Sequence, residues 1–366
     1  MNFTAIAHRY LCDVPVYQPG RPIEEVAREH GLNPRRVIKL ASNENALGPS
    51  PKALAAMRAA LKTAHLYPDG SGFYLRRALA KKLGVEMDNI ILGAGSNEII
   101  EFLYHTFVAP GDEVVVGERA FVIYAIMAKM FRAKCVSVPF CGGGHAHDLD
   151  AMRAAITPRT KLVFVANPNN PSGTRVGNAA LDKFIRSLPP HVVCVLDEAY
   201  YEFLDDPPPS IRYAMTGNVV VLRTFSKIVG LAGLRIGYGV AQKDCIALKH
   251  RVRQPFNVNS IALAGALAAL SDPEHIRNTR RMTRNGLSYF YREFTRLKLE
   301  HVPSAANFVL ARVGDGAKIF AALQRRGVIV RPVGGGYGLP EWIRVTVGLP
   351  EENRKFVREL ADELRG

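Results

Sequence analysis

The chain has 366 residues, of which 48% are hydrophobic and 22% are charged. This composition is typical of a globular protein that is long enough to form a large core and two domains. The 48 basic and 33 acidic residues give a formal charge of +15. Because the basic residues are scattered, without a basic tail or zinc-finger spacing, they indicate solvated helix faces and not nucleic-acid binding.

The cysteines and the apolar runs predict the cellular compartment. The five cysteines are scattered and odd in number, and none forms a CxxC pair, so we expect free thiols in a reducing compartment. The first residues lack the charged and apolar regions of a signal peptide. The longest apolar run, 261–270, is too short to span a bilayer. These observations predict a cytoplasmic protein with no membrane partner.

Residues 1–48 are rich in proline and predict an extended arm with a short helix at 23–30, associated with part of a smaller domain. Residues 49–265 alternate short β-rich runs with helical patterns. That alternation predicts an α/β domain with a mostly parallel sheet, sandwiched by helices. From 266 to 366 a long charged helix, short strands and a terminal helix predict a smaller α+β domain.

In a parallel sheet the ligand lies at the carboxyl ends of the strands, so the residues that follow each strand are informative. After 90–92 comes Gly93-Ala-Gly95-Ser96-Asn97-Glu98, which opens a helix. This segment is either an anion-binding loop or a helix capped by Ser96. After 161–166 comes Asn167-Pro-Asn-Asn170-Pro-Ser-Gly-Thr174, a turn that also places amide groups near a ligand.

Two further strand ends carry ionisable groups. The run 192–196 is followed by Asp197-Glu-Ala-Tyr200-Tyr. A nucleotide triphosphatase would need a phosphate loop of the form GxxxxGK[ST], which this chain lacks. The run 219–222 is followed by Thr224-Phe-Ser226-Lys227, and Arg235 comes eight residues after the lysine. An amine beside hydroxyls and an arginine is the arrangement that pyridoxal 5'-phosphate (PLP) requires.

The motifs together resemble the PLP-dependent aminotransferases of the aspartate aminotransferase fold, and among these the histidinol-phosphate aminotransferases. The resemblance covers nearly the whole chain and rests on these segments: KLASNEN from Lys39, LGPSP from Leu47, YPDG from Tyr67, NPNNPSG, DEAYYEF, RTFSKIVGLAGLRIGYG, ANF from Ala306 and RVTVG. It implies PLP fold type I, with a seven-stranded type of sheet in the large domain.

The resemblance also implies roles at the cofactor. Lys227 would bind PLP as a Schiff base and move the substrate proton, and Asp197 would pair with the pyridinium nitrogen. Asn170 and Tyr200 would donate to the ring hydroxyl, and Phe121 would stack on the ring. The phosphate would be bound by six residues: Gly95, Ser96, Asn97, Thr224, Ser226 and Arg235. Where relatives often carry a hydroxyl before the stacking aromatic, this chain has Ala120.

For the substrate, the resemblance implies Arg344 at a carboxylate or phosphate, a second phosphate-binding arginine at Arg331, and contacts from Tyr17 and Asn45. Tyr67 would reach the cofactor phosphate of the other subunit, which implies a homodimer with shared sites. The substrates would be a phosphorylated or aromatic amino acid with glutamate or 2-oxoglutarate. An aromatic amino-acid aminotransferase and a threonine-phosphate-type decarboxylase remain alternatives.

A metal site is not expected. His145, His147 and Asp148 stand close together in the sequence, but no further ligand is near them, and a surface loop is the simpler interpretation.

Overall fold

The computed structural model describes residues 2–365. Its strands are β1 (Ile38–Lys39), β2 (Ile90–Gly93), β3 (Glu113–Gly117), β4 (Lys134–Val138), β5 (Thr160–Ala166), β6 (Val193–Asp197), β7 (Val219–Thr224), β8 (Gly237–Val240), β9 (His301–Val302), β10 (Phe308–Arg312), β11 (Val328–Ile329), β12 (Arg331–Val333) and β13 (Leu339–Thr346).

Helices connect and cover these strands. The α-helices are α1 (Phe3–Ile6), α2 (Ile23–Glu29), α3 (Pro51–Ala60), α4 (Phe73–Leu83), α5 (Ser96–Phe107), α6 (Ile123–Met130), α7 (Leu149–Ala154), α8 (Asn178–Ser187), α9 (Ser210–Thr216), α10 (Lys243–Val252), α11 (Ser260–Ala269), α12 (Pro273–Arg296), α13 (Gly316–Arg325), α14 (Gly334–Tyr337) and α15 (Pro350–Arg365).

The large sheet has seven strands within the described residues, in the order β2-β8-β7-β6-β5-β3-β4. Strands β3 to β7 run parallel to one another. Strand β8 runs antiparallel to both β7 and β2. The ends of β5, β6 and β7 therefore lie at one edge of the sheet, which is where the sequence places its polar motifs.

Both faces of this sheet are buried because the central strands contain continuous apolar runs, at 162–166, 193–196 and 219–222. On β5, Val163 and Val165 pack into the core on one face, whereas Leu162, Phe164 and Ala166 pack into the core on the other. Successive side chains of a strand point to opposite faces. A continuous apolar run is therefore what a strand between two helical layers requires.

The smaller part of the fold contains a second sheet, in the order β12-β13-β10-β9. Helices α12, α13 and α15 supply its core together with the apolar residues of these strands. The N-terminal segment joins this part, since β1 pairs in parallel with β11 through Ile38 and Val328.

The predicted fold class, an α/β domain with a mostly parallel seven-stranded sheet plus a smaller α+β part, is confirmed. The predicted boundary at 265/266 falls inside α11, whose Ala262, Ala266 and Ala269 are buried in the core of the large domain. The chain therefore leaves the large domain after α11, and the other boundary, at 48/49, remains a prediction. Within residues 2–365, no helix has the length and apolar character needed to cross a bilayer.

Candidate active site

An anion-binding cup lies where α5 begins. Gly95 has a φ of 80° and precedes the first helical residue, and no side chain within the described residues caps the helix there. A Cβ built on Gly95 would lie 2.6 Å from Nη2 of Arg235, so only glycine lets the guanidinium come this close. The free N–H groups of Gly95, Ser96 and Asn97 and the arginine therefore face one position.

The hydroxyls of the strand β7 segment complete this cup. Gly237 on β8 has no room for a Cβ, which would lie 2.5 Å from the backbone nitrogen of Ser96, so the end of β7 and the start of α5 are adjacent. Thr224 and Ser226 are both buried, and the Ser226 N–H donates to Oγ1 of Thr224 at 3.1 Å. The buried Oδ1 of Asn97 has no hydrogen-bonding partner among the described residues.

A buried carboxylate lies at the end of β6. Asp197 accepts hydrogen bonds from the hydroxyl of Tyr124 at 2.6 Å and from the Ala199 N–H at 3.2 Å. Burial raises the pKa of this carboxyl. Among residues 2–365 no cationic side chain forms a salt bridge with Asp197, although a buried carboxylate needs a positive partner to stay charged.

The amine of Lys227 lies close to this carboxylate and to the cup. Its Nζ donates to the Ser42 carbonyl at 3.1 Å and lies 5.8 Å from the centre of the Tyr200 ring. Loss of hydration, assisted by the positive charges of Arg344 and Arg235, lowers the pKa of Lys227 to about 8. A larger share of neutral amine, the nucleophilic form, is therefore present near neutral pH.

This low pKa predicts how the cofactor-free protein responds to pH. Below pH 8 the folded protein must hold a charged amine that the unfolded chain hydrates freely, and this costs up to about 3 kcal/mol. The cost falls as pH rises from 8 to 10.5, the ordinary pKa of a lysine side chain, because the unfolded state then binds more protons. We expect Lys227→Met to stabilise the cofactor-free protein at pH 7 and to lose that advantage by pH 10.5, measured by urea unfolding. A pH-independent difference would contradict the low pKa.

A network of hydrogen bonds near Lys227 joins the large domain to the smaller one. Asn43, which has a φ of 55°, donates to the hydroxyl of Tyr200 at 2.8 Å and accepts from Thr346 at 3.1 Å. Burial raises the pKa of Tyr200, so this hydroxyl stays protonated. Arg344 donates to Oδ1 of Asn170 and, at 2.7 Å, to the Ala41 carbonyl. Asn170, Tyr200 and Arg344 are thus brought together around one region.

Arg331 and Arg344 are direct partners across strands β12 and β13. Such pairs place their Cβ atoms about 5 Å apart on one face of the sheet, and like charges there repel each other. Burial lowers the pKa of Arg344, and the positive charge of Arg331 contributes in the same direction. Two arginines held this way form a binding place for an anion with two negative charges.

A cavity of about 720 Å³ lies beside Arg331, with Tyr17, Phe121 and Tyr337 also in its lining. Phe121 packs edge-to-face on Tyr124, with 5.7 Å between ring centres, so it is near Asp197. Arg331 also donates to the Gln18 carbonyl at 2.8 Å and so holds the N-terminal arm against the cavity. The lining is largely apolar with a cationic side, as an aromatic anion requires.

Of the sequence-predicted residues, Tyr17, Phe121 and Arg331 line this cavity, whereas Tyr67 and Asn45 make their contacts elsewhere. Tyr67 is 83% exposed and stacks on Phe256 at 4.8 Å between ring centres. Asn45 is buried, and its amide donates to the Ile228 carbonyl at 2.7 Å and to Thr279 at 3.0 Å. It therefore ties the segment after Lys227 to α12, and a direct contact of Asn45 with substrate remains a prediction.

Sequence reasoning missed two functional residues, Tyr124 and Asn43. Tyr124 lies three residues after Phe121, so one turn of chain places both near the end of β6, but nothing in the sequence pairs it with Asp197. Asn43 stands in the motif that carries the resemblance, and its partner Tyr200 is 157 residues away. The only sequence signal for either residue was its place within or beside a recognised motif.

The contact between Tyr124 and Asp197 predicts a change in activity. Tyr124→Phe removes a hydrogen bond that favours the charged carboxylate and lowers its pKa. We expect kcat to fall about tenfold and the acidic limb of its pH profile to move to higher pH. Tyr104→Phe is the matched control, because its buried hydroxyl donates to the Tyr124 carbonyl at 2.6 Å and not to Asp197. Equal effects of the two variants on the pH profile would contradict the assignment.

These residues fit PLP. The cup offers backbone N–H groups, two hydroxyls and a guanidinium to a phosphate. The buried Asp197 suits a protonated ring nitrogen, and the amine of Lys227 suits an aldehyde. A phosphate, a cationic ring and an aldehyde are the chemical groups of this cofactor.

Comparison with known proteins agrees with this geometry. A family model described as aminotransferase class I and II matches residues 35–360, so the chain belongs to the class I and II aminotransferases.

The names of individual relatives are more specific than that of the family. The chain is 47% identical to the histidinol-phosphate aminotransferase of Akkermansia muciniphila, with 100% of each chain covered. It is 50% identical to histidinol-phosphate aminotransferase 2 of Ralstonia nicotianae, covering 97% of this chain and 96% of that one. The crystal structure of histidinol-phosphate aminotransferase from Sinorhizobium meliloti, in complex with pyridoxal-5'-phosphate, superposes with a TM-score of 0.88 at 28% identity, covering 97% of this chain and 96% of that chain.

Proposed function

We propose that this protein is a PLP-dependent aminotransferase of histidine biosynthesis. It exchanges the amino group between histidinol phosphate plus 2-oxoglutarate and imidazole acetol phosphate plus glutamate. The observation that carries the proposal is the cross-strand pair Arg331 and Arg344, of which Arg331 lines the apolar cavity. The names of the relatives with 47% and 50% identity support it.

The proposed mechanism divides the work among this chain's residues. PLP, when bound, withdraws electrons from the substrate α-carbon. The Nζ of Lys227 would take the proton from the α-carbon of the amino donor and, in the other half-reaction, deliver a proton to the carbonyl carbon of the acceptor, which its lowered pKa favours. Asp197, whose charged form the hydrogen bond from Tyr124 favours, would pair with the ring nitrogen. Tyr200 and Asn170 orient the ring, and the Gly95 to Asn97 loop with Arg235 fixes the phosphate.

Substrate recognition follows from the arginine pair. Arg344, already hydrogen-bonded to Ala41 and Asn170, binds the phosphate of histidinol phosphate in one half-reaction and the α-carboxylate of glutamate in the other. Arg331 adds a second positive charge. Its attraction to a phosphate dianion is stronger than its attraction to a single carboxylate. One pocket can therefore bind both histidinol phosphate and glutamate.

A comparison of acceptors tests the proposal. With glutamate as donor, we expect kcat/KM for imidazole acetol phosphate to exceed that for phenylpyruvate by at least about 100-fold, since a second ion pair contributes about 3 kcal/mol. A preference for phenylpyruvate would favour an aromatic amino-acid aminotransferase, which the apolar cavity also suits. Release of carbon dioxide from a phosphorylated amino acid would instead indicate a decarboxylase.

Arg331→Met separates the phosphate contact from the common chemistry. We expect KM for imidazole acetol phosphate to rise about 30-fold because one charge-assisted contact is lost. The glutamate half-reaction, followed alone by single-turnover absorbance, should change less than threefold. Arg312→Met, an exposed arginine of the same sheet paired with Glu300 and Glu341, is the matched control. Equal losses in both half-reactions would contradict the assignment.

The proposed assembly is a homodimer with shared sites, and the proposed location is the cytoplasm. Tyr67 is exposed beside other exposed apolar side chains of the same region, namely Leu61, Leu66, Phe73 and Tyr74. An apolar surface of this kind is typical of a contact between subunits. Sedimentation equilibrium should give the mass of a dimer at micromolar concentration, and a monomer would exclude sharing of sites.

A further inference from the structure

A second buried lysine lies outside the active site. Lys249 on α10 is 0% exposed, and Cys245 lies one helical turn before it and is partly exposed. The Nζ of Lys249 lies 2.8 Å from Sγ of Cys245 and 3.2 Å from the Cys245 carbonyl. On its other side Nζ lies 4.7 Å from the centre of the Phe107 ring.

Lys249 has no carboxylate partner. Within residues 2–365, no aspartate or glutamate forms a salt bridge with it, whereas buried lysines are normally paired. Burial lowers its pKa, which increases the share of neutral amine. The proposed transamination uses neither Lys249 nor Cys245, so the structure keeps a nucleophilic nitrogen beside a sulfur atom for another reason.

We propose that Cys245 and Lys249 are a redox site at which hydrogen peroxide drives formation of a reversible covalent bond between Sγ and Nζ. The two side chains stand four residues apart on one face of one helix, and their reacting atoms are already in contact. Bond formation therefore requires a small movement of two side chains and no rearrangement of the backbone.

The chemistry balances with peroxide as the only oxidant. The Cys245 thiolate attacks one peroxide oxygen, which breaks the O–O bond, gives a sulfenic acid and releases water after protonation. The lone pair of Nζ then attacks the sulfur and displaces hydroxide, which leaves as a second water with a proton from the nitrogen. The sulfur loses two electrons and the peroxide gains them. A thiol reductant reverses the step through a mixed disulfide.

The other cysteines lack this arrangement. Burial raises the pKa of Cys194 to about 12 and that of Cys135 to about 11, so both stay protonated and react slowly. Cys12 and Cys141 are exposed. Among the described residues, only Cys245 accepts a hydrogen bond from a lysine side chain. The bond should therefore form at one site and protect that thiol from further oxidation.

Peptide mapping of the holoenzyme tests the proposal. Trypsin cleaves after Lys243, Lys249 and Arg251 in the untreated protein. After mild hydrogen peroxide treatment and alkylation, we expect the peptide 244–251 to remain uncleaved at Lys249 and to be about 2 Da lighter than its reduced form. Dithiothreitol should restore both the mass and the cleavage.

Lys249→Met is the matched variant, because it removes the amine and keeps the length of the side chain. Its peptide 244–251 should lose no mass, and dimedone should instead label Cys245 as the sulfenic acid. Cleavage at Lys249 in treated wild type, with oxygen added to Cys245, would overturn the proposal. So would a bridged peptide containing an extra oxygen atom. The mass and the cleavage of the wild-type peptide test the proposal directly, even if the variant folds poorly.

Discussion

Lys227→Ala should abolish transamination, with kcat falling at least about 10⁴-fold. The variant loses both the nitrogen that anchors the cofactor and the base that moves the substrate proton. No other described amine can replace it, since the Nζ of Lys227 is the one held near Tyr200 and Asp197. The measurement is steady-state turnover with glutamate and imidazole acetol phosphate, together with the visible absorption of the purified protein.

Lys249→Met is the control for this experiment, because it removes another buried lysine of the large domain without touching the site. It should keep turnover within about twofold of wild type, as substitutions remote from reacting atoms usually do. If Lys227→Ala kept turnover within tenfold of wild type, the lysine would have no essential role in the reaction and the proposed mechanism would be contradicted.

Asp197→Asn should lower kcat about 10³-fold while leaving KM nearly unchanged. The amide keeps the shape of the side chain and can still bond to Tyr124, but it has no charge to hold a proton on the ring nitrogen. The cofactor then stabilises the transition state less, whereas substrate binding in the ground state is unchanged, so kcat falls and KM does not. The test is kcat and KM for each half-reaction over pH 6 to 9.

Two variants make this result specific. Asp197→Glu keeps the charge and should recover part of kcat. If Asp197 had only a structural role, kcat would not depend on the charge at this position. Asp205→Asn alters an exposed aspartate paired with Arg280 and Arg284 and should leave kcat within twofold. A similar kcat for the Asn and Glu variants at position 197 would argue against an ion pair with the ring.

Much of the site could be predicted because its residues follow buried strands directly. Lys227 comes three residues after the end of β7, and Asp197 is the last residue of β6, so the chain itself fixes their position at one edge of the sheet. The apolar runs of β5 to β7 predicted that sheet for the same reason. Edge strand β4 was missed because its burial is partial and its sequence, KCVSV, is mixed.

Contacts between distant segments could not be predicted. The bond between Tyr124 and Asp197 depends on how α6 packs on the sheet, and the pairing of Arg331 with Arg344 depends on a strand register with a shift after Pro332. Propensity and periodicity describe local structure only. The packing of α11 on α3, about 200 residues earlier in the chain, is another contact of this kind.

The hydrogen bond between Arg331 and the Gln18 carbonyl gives one side chain two tasks. The arginine that would recognise the phosphate also fastens the irregular segment around Tyr17, which has little regular structure of its own. Loss of anion recognition and release of the arm are therefore linked, and a change of substrate preference at position 331 would require a compensating change in the arm. Evolution of a new acceptor in this enzyme should accordingly proceed through paired substitutions at the two ends of the chain.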